Sequence, residues 1–152
     1  MEEGEFRLPL TSADFKAQGT AVVDAFSAEV LAGGFAGWRG VAENHEGFRA
    51  AIDEGAGRAG WALLRQSLHD PLLVLNVESE TPGGAAAAAH AMLCWLEAHA
   101  AGVDVSALEK AFTAEGMFGA DAARECALHH GRGQRLGGGN CGEVGEACNV
   151  DW

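Results

Sequence analysis

Apolar residues recur along this chain with two different periods. Phe15, Val22, Phe26, Val30 and Leu31 fall at helical spacing, which gathers them on one side of an amphipathic helix over 12–32. Thr11 or Ser12 can cap its start, and Asp14 falls in the first turn, where the helix dipole favours a carboxylate. Gly19 is a point of potential interruption, and Gly33-Gly34 ends the helix. From Gly47 the pattern becomes that of strands. Residues 47–53 place Phe48 and Ile52 on one face and Arg49 on the other. Residues 54–60 are glycine-rich and read as a hairpin connection to a second strand, Trp61 to Ser67. A third strand, Leu72 to Ser79, begins with a continuous apolar run, as a strand buried on both faces does.

Thr81-Pro82-Gly83-Gly84 opens a second helix running to about Ala101, with Thr81 as N-cap and Pro82 in the first helical position. Met92, Leu93, Trp95 and Leu96 supply its apolar side, Cys94 reads as a small buried hydrophobe, and His90 and His99 are expected at its surface. Val103 to Phe112 reads as a further short helix, capped by Asp104 or Ser106. Residues 1–10 read as a frayed lead-in and 35–46 as a loop, with a fourth short strand in 35–46 or near 103–106. Hairpin connections imply an antiparallel sheet. The expected fold is therefore α+β: three to four strands with helices packed on one face, over residues 1–112. From 113 to 152 the composition shifts to Gly, Cys and His, and a poorly ordered tail is expected.

Charge narrows the partners. Ten basic residues stand against 22 acidic ones, a formal net charge of -12, so nucleic acid and anionic membrane surfaces are not expected partners. An anionic small molecule would need a local basic cluster, for which Arg49, Arg58 and Arg65 are candidates. The longest low-polarity run, Gly83 to Cys94, is too short to span a bilayer. Four cysteines in 152 residues do not make a disulfide framework, and the acidic start lacks a secretory pattern. A cytoplasmic location follows as the expectation.

Between the second and third strands the turn Arg65-Gln66-Ser67-Leu68-His69-Asp70-Pro71 brings a guanidinium, a hydroxyl and an imidazole within five positions. Arg65 and Ser67, two apart in an extended chain, point to the same side. A guanidinium can fork onto two anionic oxygens, a hydroxyl can donate to a third, and backbone N–H groups of residues 67–69 can complete a cradle for a phosphate ester. The competing reading is a surface turn with Arg65 paired to Glu78 or Asp70.

The run Gly47-Phe48-Arg49, Gly60-Trp61, Arg65-Gln66-Ser67-Leu68-His69-Asp70-Pro71 and Leu72 to Glu78 resembles the C-terminal domain of the alpha-D-phosphohexomutases, the phosphoglucomutase and phosphomannomutase family. Those domains carry Arg-x-Ser-Gly-Thr-Glu-Pro at this turn. Arg65, Ser67 and Pro71 match it, Asp70 replaces Glu, and Leu68 and His69 depart from Gly and Thr. The resemblance implies a substrate-phosphate-binding loop of Arg65, Ser67, Leu68 and His69. It also implies a role in interconverting hexose 1-phosphate and hexose 6-phosphate, with hexose phosphate and the remaining mutase domains, in cis or trans, as partners. The family's phosphorylatable serine loop and its Asp-Gly-Asp-Gly-Asp-Arg magnesium loop are absent. No catalytic residue is therefore assigned, no cofactor is expected in this chain, and Mg2+ is expected in the full enzyme. The alternative is a stand-alone, non-catalytic phosphosugar-binding or protein-interaction module.

Three other groupings carry chemistry. Cys126, His129, His130, Cys141 and Cys148 hold enough donors for a zinc site, at spacings that fit no common zinc pattern; no metal site is assigned. Glu43, His45 and Glu46 could do acid–base work but read more simply as a solvated loop. Cys141-Gly142-Glu143-Val144-Gly145-Glu146 only faintly echoes the family's sugar-reading loop.

Overall fold

The computed structural model describes residues 1–125. The chain runs β1 (Glu2–Pro9), α1 (Phe15–Leu31), β2 (Trp38–Gly40), β3 (Phe48–Asp53), β4 (Ala59–Gln66), β5 (Leu72–Ser79), α2 (Gly84–His99) and α3 (Ser106–Ala111), and residues 120–125 are again helical. All five strands join one antiparallel sheet in the order β1-β5-β4-β3-β2.

The class is the expected one, an antiparallel α+β sheet, with five strands in place of three to four. The correction comes from the ends. Residues 2–9 are not a lead-in: they form an edge strand paired along its length with β5, Phe6 opposite Leu75 and Leu8 opposite Leu73. Gly4, Phe6 and Leu8 are buried while Glu3, Glu5, Arg7 and Pro9 are exposed. That alternation is what a strand with one wet face requires. The fourth short strand falls at Trp38–Gly40.

The sheet has an inner and an outer face. Inner positions pair in rows across β1, β5, β4 and β3: Phe6, Leu75, Leu64 and Phe48 form one, and Gly4, Val77, Ala62 and Ala50 the next. Against these rows lie α1, through Val22, Phe26 and Val30, and α2, through Ala85, Ala89, Met92, Leu93 and Leu96. Alanines line much of α2 and β3–β4, which lets helix and sheet approach closely. Phe26 is the hub: it is fully buried and its ring meets Phe35, Trp38, Phe48 and Trp95 at 5.5–6.3 Å, mostly edge-on. Such clusters combine large buried area with favourable ring geometry. Among the described residues, the buried sides of α1 and α2 both belong to the core on the inner face.

Element ends differ in detail from expectation. In α1 the cap is Asp14, whose carboxylate accepts from the Ala17 N–H, and the helix passes through Gly19 unbroken. A Cβ at Gly19 would lie 2.6 Å from the Gln66 side chain, so the residue marks close helix–sheet contact and not an interruption. In α2 the cap is Gly83 in place of Thr81. The Gly83 N–H donates to the Glu2 carboxylate at 3.0 Å, so β1 supplies the negative charge that this helix start favours. His90, expected at the surface, is 3% exposed and packs edge-on against Phe112. His99 is exposed and Cys94 is buried.

Packing continues beyond residue 112. Phe118 packs on Phe6 and Phe112, its N–H donates to the Ala111 carbonyl, and Ala123 is 4% exposed. A domain end at 112 would thus cut through packed structure. The Cys/His grouping at 126–148 and the 141–146 echo lie outside the described residues.

Candidate functional site

Strands β4 and β5 are the middle of the sheet, held on both sides by full ladders. Their connection, residues 67–71, is short and exposed on a stiff base. Gln66 turns inward, its amide donating to the Thr20 hydroxyl of α1 at 2.8 Å. Strand alternation then places its neighbours Arg65 and Ser67 on the outer side.

Within the loop the hydrogen bonds follow from the turn. The Ser67 N–H donates to the Leu72 carbonyl at 3.0 Å, the Leu72 N–H to the Asp70 carbonyl at 2.8 Å, and the Asp70 N–H to the Ser67 hydroxyl at 3.3 Å. The last bond uses a lone pair of Ser67 Oγ and leaves its proton available. The N–H groups of Leu68 and His69 have no acceptor among the described residues. Leu68 is 83% exposed, and His69 and Asp70 are exposed. Leu68 needs no glycine-like backbone, because Ala56 is the one non-glycine residue with positive φ among the described residues. The loop thus tolerates a side chain where the resembled motif has Gly.

Arg65 is half-buried, and among the described residues no ion pair engages it. The pairing with Glu78 or Asp70 that would make the turn a plain surface bend is absent there; the ion pair those residues do contain joins Arg7 and Glu5 at 3.8 Å. Arg49 lies over the Trp61 ring at 4.4 Å, a cation–π contact. Arg58 sits in the β3–β4 hairpin, remote in the register from the 67–71 loop. The expected basic cluster therefore does not assemble as a unit: Arg65 stands at the end of β4 next to the loop, Arg49 lies over Trp61 and Arg58 is in the opposite hairpin.

Beside the loop is a groove of about 290 Å³. Its walls come from α1 (Thr20, Val23, Asp24), from the segment before β3 (His45, Glu46, Gly47) and from β4 and its loop (Arg65, Gln66, Leu68). Gly47 brings the second wall close. Its φ is +79°, and a Cβ there would lie 2.2 Å from the Leu64 carbonyl oxygen and 2.7 Å from Arg65 Cα, so only glycine fits without displacing β4. His45 and Glu46 thereby join the rim opposite Arg65, whereas Glu43 does not line the groove. Thr20 and Asp24 carry no sequence signal for a site: they are ordinary helix residues until α1 is laid on the sheet.

Chemically, the loop offers donors and the groove offers both signs of charge. Two N–H groups, a hydroxyl, a guanidinium and an imidazole suit a phosphate ester. Asp24, Glu46 and the Thr20 hydroxyl suit the hydroxyl-bearing remainder of a polar ligand. Among the described residues no group of three or more His, Cys, Asp and Glu side chains could hold a metal ion, so no step through Mg2+ is assigned to them. No helix among these residues is long and apolar enough to cross a membrane. Comparisons with protein-family models, with curated proteins and with solved structures found no match.

Proposed function

We propose that this chain binds the phosphate of a phosphorylated hexose at the 65–69 loop, as the C-terminal domain of a phosphohexomutase would. The observation that carries the reading is the loop's donor set: unaccepted N–H groups at Leu68 and His69 beside the Ser67 hydroxyl, with Arg65 unengaged by a carboxylate among the described residues. A site that grips the phosphoryl group not being transferred needs no nucleophile and no metal of its own. Its work is positioning, which is a large part of catalysis in phosphoryl transfer. The phosphoserine and Mg2+ of the complete reaction would come from other domains, in cis or trans, and contact energy at the loop would favour the closed arrangement. In this reading Arg65 neutralises charge, Ser67 and the amides of Leu68 and His69 fix orientation, and His69 adds a donor.

Calorimetric titration with glucose 6-phosphate and mannose 6-phosphate tests it, alongside amide chemical shifts. Shifts are expected at 67–69. Arg65→Ala should weaken binding by about 1.5–3 kcal/mol, the range for a lost charge-assisted hydrogen-bond partner. An unchanged dissociation constant removes the site. Adding serine- and magnesium-bearing mutase domains in trans separates a mutase domain, which restores turnover, from a stand-alone binding module, which does not.

A further inference from the structure

Two groups that phosphate binding does not use meet inside the fold. His90 and Cys94 stand four positions apart on α2 and so share one side of the helix. His90 is 3% exposed and Cys94 2%. The other buried positions of α2 are Ala, Met, Leu and Trp, a setting in which an imidazole costs free energy unless its nitrogens are well partnered. Cys94 Sγ lies 3.8 Å from His90 Nδ1, and a thiol is a weak hydrogen-bond partner. The same distance suits a different chemistry. In a tetrahedral zinc site, with Zn–S about 2.3 Å and Zn–N about 2.0–2.1 Å, neighbouring sulfur and nitrogen ligands stand about 3.6 Å apart. The pair is thus within about 0.2 Å of one edge of that tetrahedron. Ligands at i and i+4 on one helix face are a recurrent way to present two donors to a metal.

We propose that His90 and Cys94 form half of a zinc site, completed by Cys126 and one imidazole of the adjacent pair His129-His130. The completing residues lie outside the described ones, and the argument for them is where the described chain leads. The His90 ring packs on Phe112 at 5.5 Å and Phe112 on Phe118 at 5.2 Å, and Ala123 is buried in the same core cluster. Residues 120–125 are helical, and Cys126 follows directly. Of the chain's 4 Cys and 6 His, three fall within 126–130, so donors are densest where the chain leaves this core. Thiolate and imidazole select Zn2+ over Mg2+ or Ca2+, which take oxygen ligands. With the His90 proton on Nε2, Nδ1 offers its lone pair to the metal. Each of the two thiols releases its proton as Zn2+ binds, and two thiolates with two neutral imidazoles leave the centre with no net charge. Four protein ligands close the coordination sphere, so the site is structural: it ties the segment after Glu125 to α2.

Anaerobic titration of the reduced, metal-free full chain with Zn2+, and with Co2+ as a spectroscopic probe, tests this. One zinc per chain is expected, with a dissociation constant of about 50 nM or tighter. Co2+ should show the visible bands of tetrahedral coordination and charge transfer from two thiolates. Outer-shell partners alone are worth about 10–100-fold in metal affinity. Loss of a ligand, in His90→Ala, Cys94→Ala, Cys126→Ala or the double variant His129→Gln/His130→Gln, should therefore weaken zinc at least about 100-fold. Circular dichroism checks that each variant folds. Cys141→Ala/Cys148→Ala leaves Cys94 and Cys126 as the remaining thiols. It should keep both the zinc affinity and the two-thiolate spectrum, a readout that stands even if Cys94→Ala does not fold. Absence of stoichiometric zinc overturns the proposal. So does zinc held undiminished by folded Cys94→Ala, which would place the site elsewhere, or zinc lost from Cys141→Ala/Cys148→Ala. None of these variants touches the 65–69 loop, so phosphate binding succeeds or fails independently.

Discussion

Replacing Gly47 by alanine should be among the most damaging single-methyl changes available in this chain, and the geometry allows its parts to be separated. Two costs apply. An L-residue at φ +79° pays about 1–2 kcal/mol for left-handed backbone. The added Cβ would also stand 2.2 Å from the Leu64 carbonyl oxygen and 2.7 Å from Arg65 Cα and Cβ. These are mostly backbone atoms of a central strand, which cannot rotate aside as a side-chain tip can. Relief requires pushing the 45–47 segment away from β4 or straining the first pair of the β3–β4 ladder, Phe48 with Leu64. Overpacking of this kind costs about 1–3 kcal/mol, for a total of roughly 2–5 kcal/mol. Gly55 is the control: its φ is +78° and a Cβ there meets nothing within 4 Å. Gly55→Ala should pay only the conformational part. In thermal melts followed by circular dichroism, a domain of this size loses about 3–5 °C per kcal/mol. Gly47→Ala should then melt about 6–25 °C low and Gly55→Ala about 3–10 °C low. Equal losses in the two variants would refute the steric reasoning. The groove beside Arg65 should also change in Gly47→Ala, so hexose-phosphate affinity, measured well below its melt, should fall while that of Gly55→Ala holds.

Phe26→Ala should cost about 3–5 kcal/mol in a urea-unfolding titration, since it empties the centre of four ring contacts; a loss under 1 kcal/mol would mean that the cluster closes around the gap. Removing residues after Glu115 strips Phe118 from Phe6 and Phe112 and should lower the melting temperature by several degrees, while an unchanged melt would show that this packing adds nothing. The Asp104 carboxyl is held below its usual 3.8, first by the Ser106 hydroxyl and then by the Ser106 N–H. A carboxyl lowered in the folded state stabilises above its unfolded pKa and loses that contribution as pH falls through the folded one, so the pH window lies below 3.8. Carboxyl-carbon NMR titration should place the Asp104 midpoint below 3.8, and Ser106→Ala should raise it.

Where one period dominates, the sequence was readable. The 3.6-residue spacing of Phe15, Val22, Phe26 and Val30 marked α1 to within a turn, and the apolar run from Leu72 marked β5 as an interior strand, though not one buried on both faces: Leu72, Asn76 and Glu78 are only half-buried. Residues 2–9 were misread because charges at alternate positions look like a solvated tail until the intervening Phe6 and Leu8 find β5 across the sheet. His90 was misplaced for the converse reason: α2 is enclosed on most sides, so a polar residue on it is not evidence of solvent. Of the candidate site, the loop was legible because its residues are consecutive. The groove was not, since Thr20, Asp24, His45 and Arg65 meet only through tertiary packing, and no local pattern encodes that meeting.

The strand order has a kinetic consequence. Strands β2 to β5 form a meander in which each pairs with its sequence neighbour, whereas β1 must cross to β5, with Phe6 meeting Leu75. Closing that long loop costs entropy before any contact repays it. Zippering of the four-strand meander should therefore lead, with the edge strand arriving late. Mutations in Phe6 or Leu8 would then accelerate unfolding while leaving the refolding rate almost untouched.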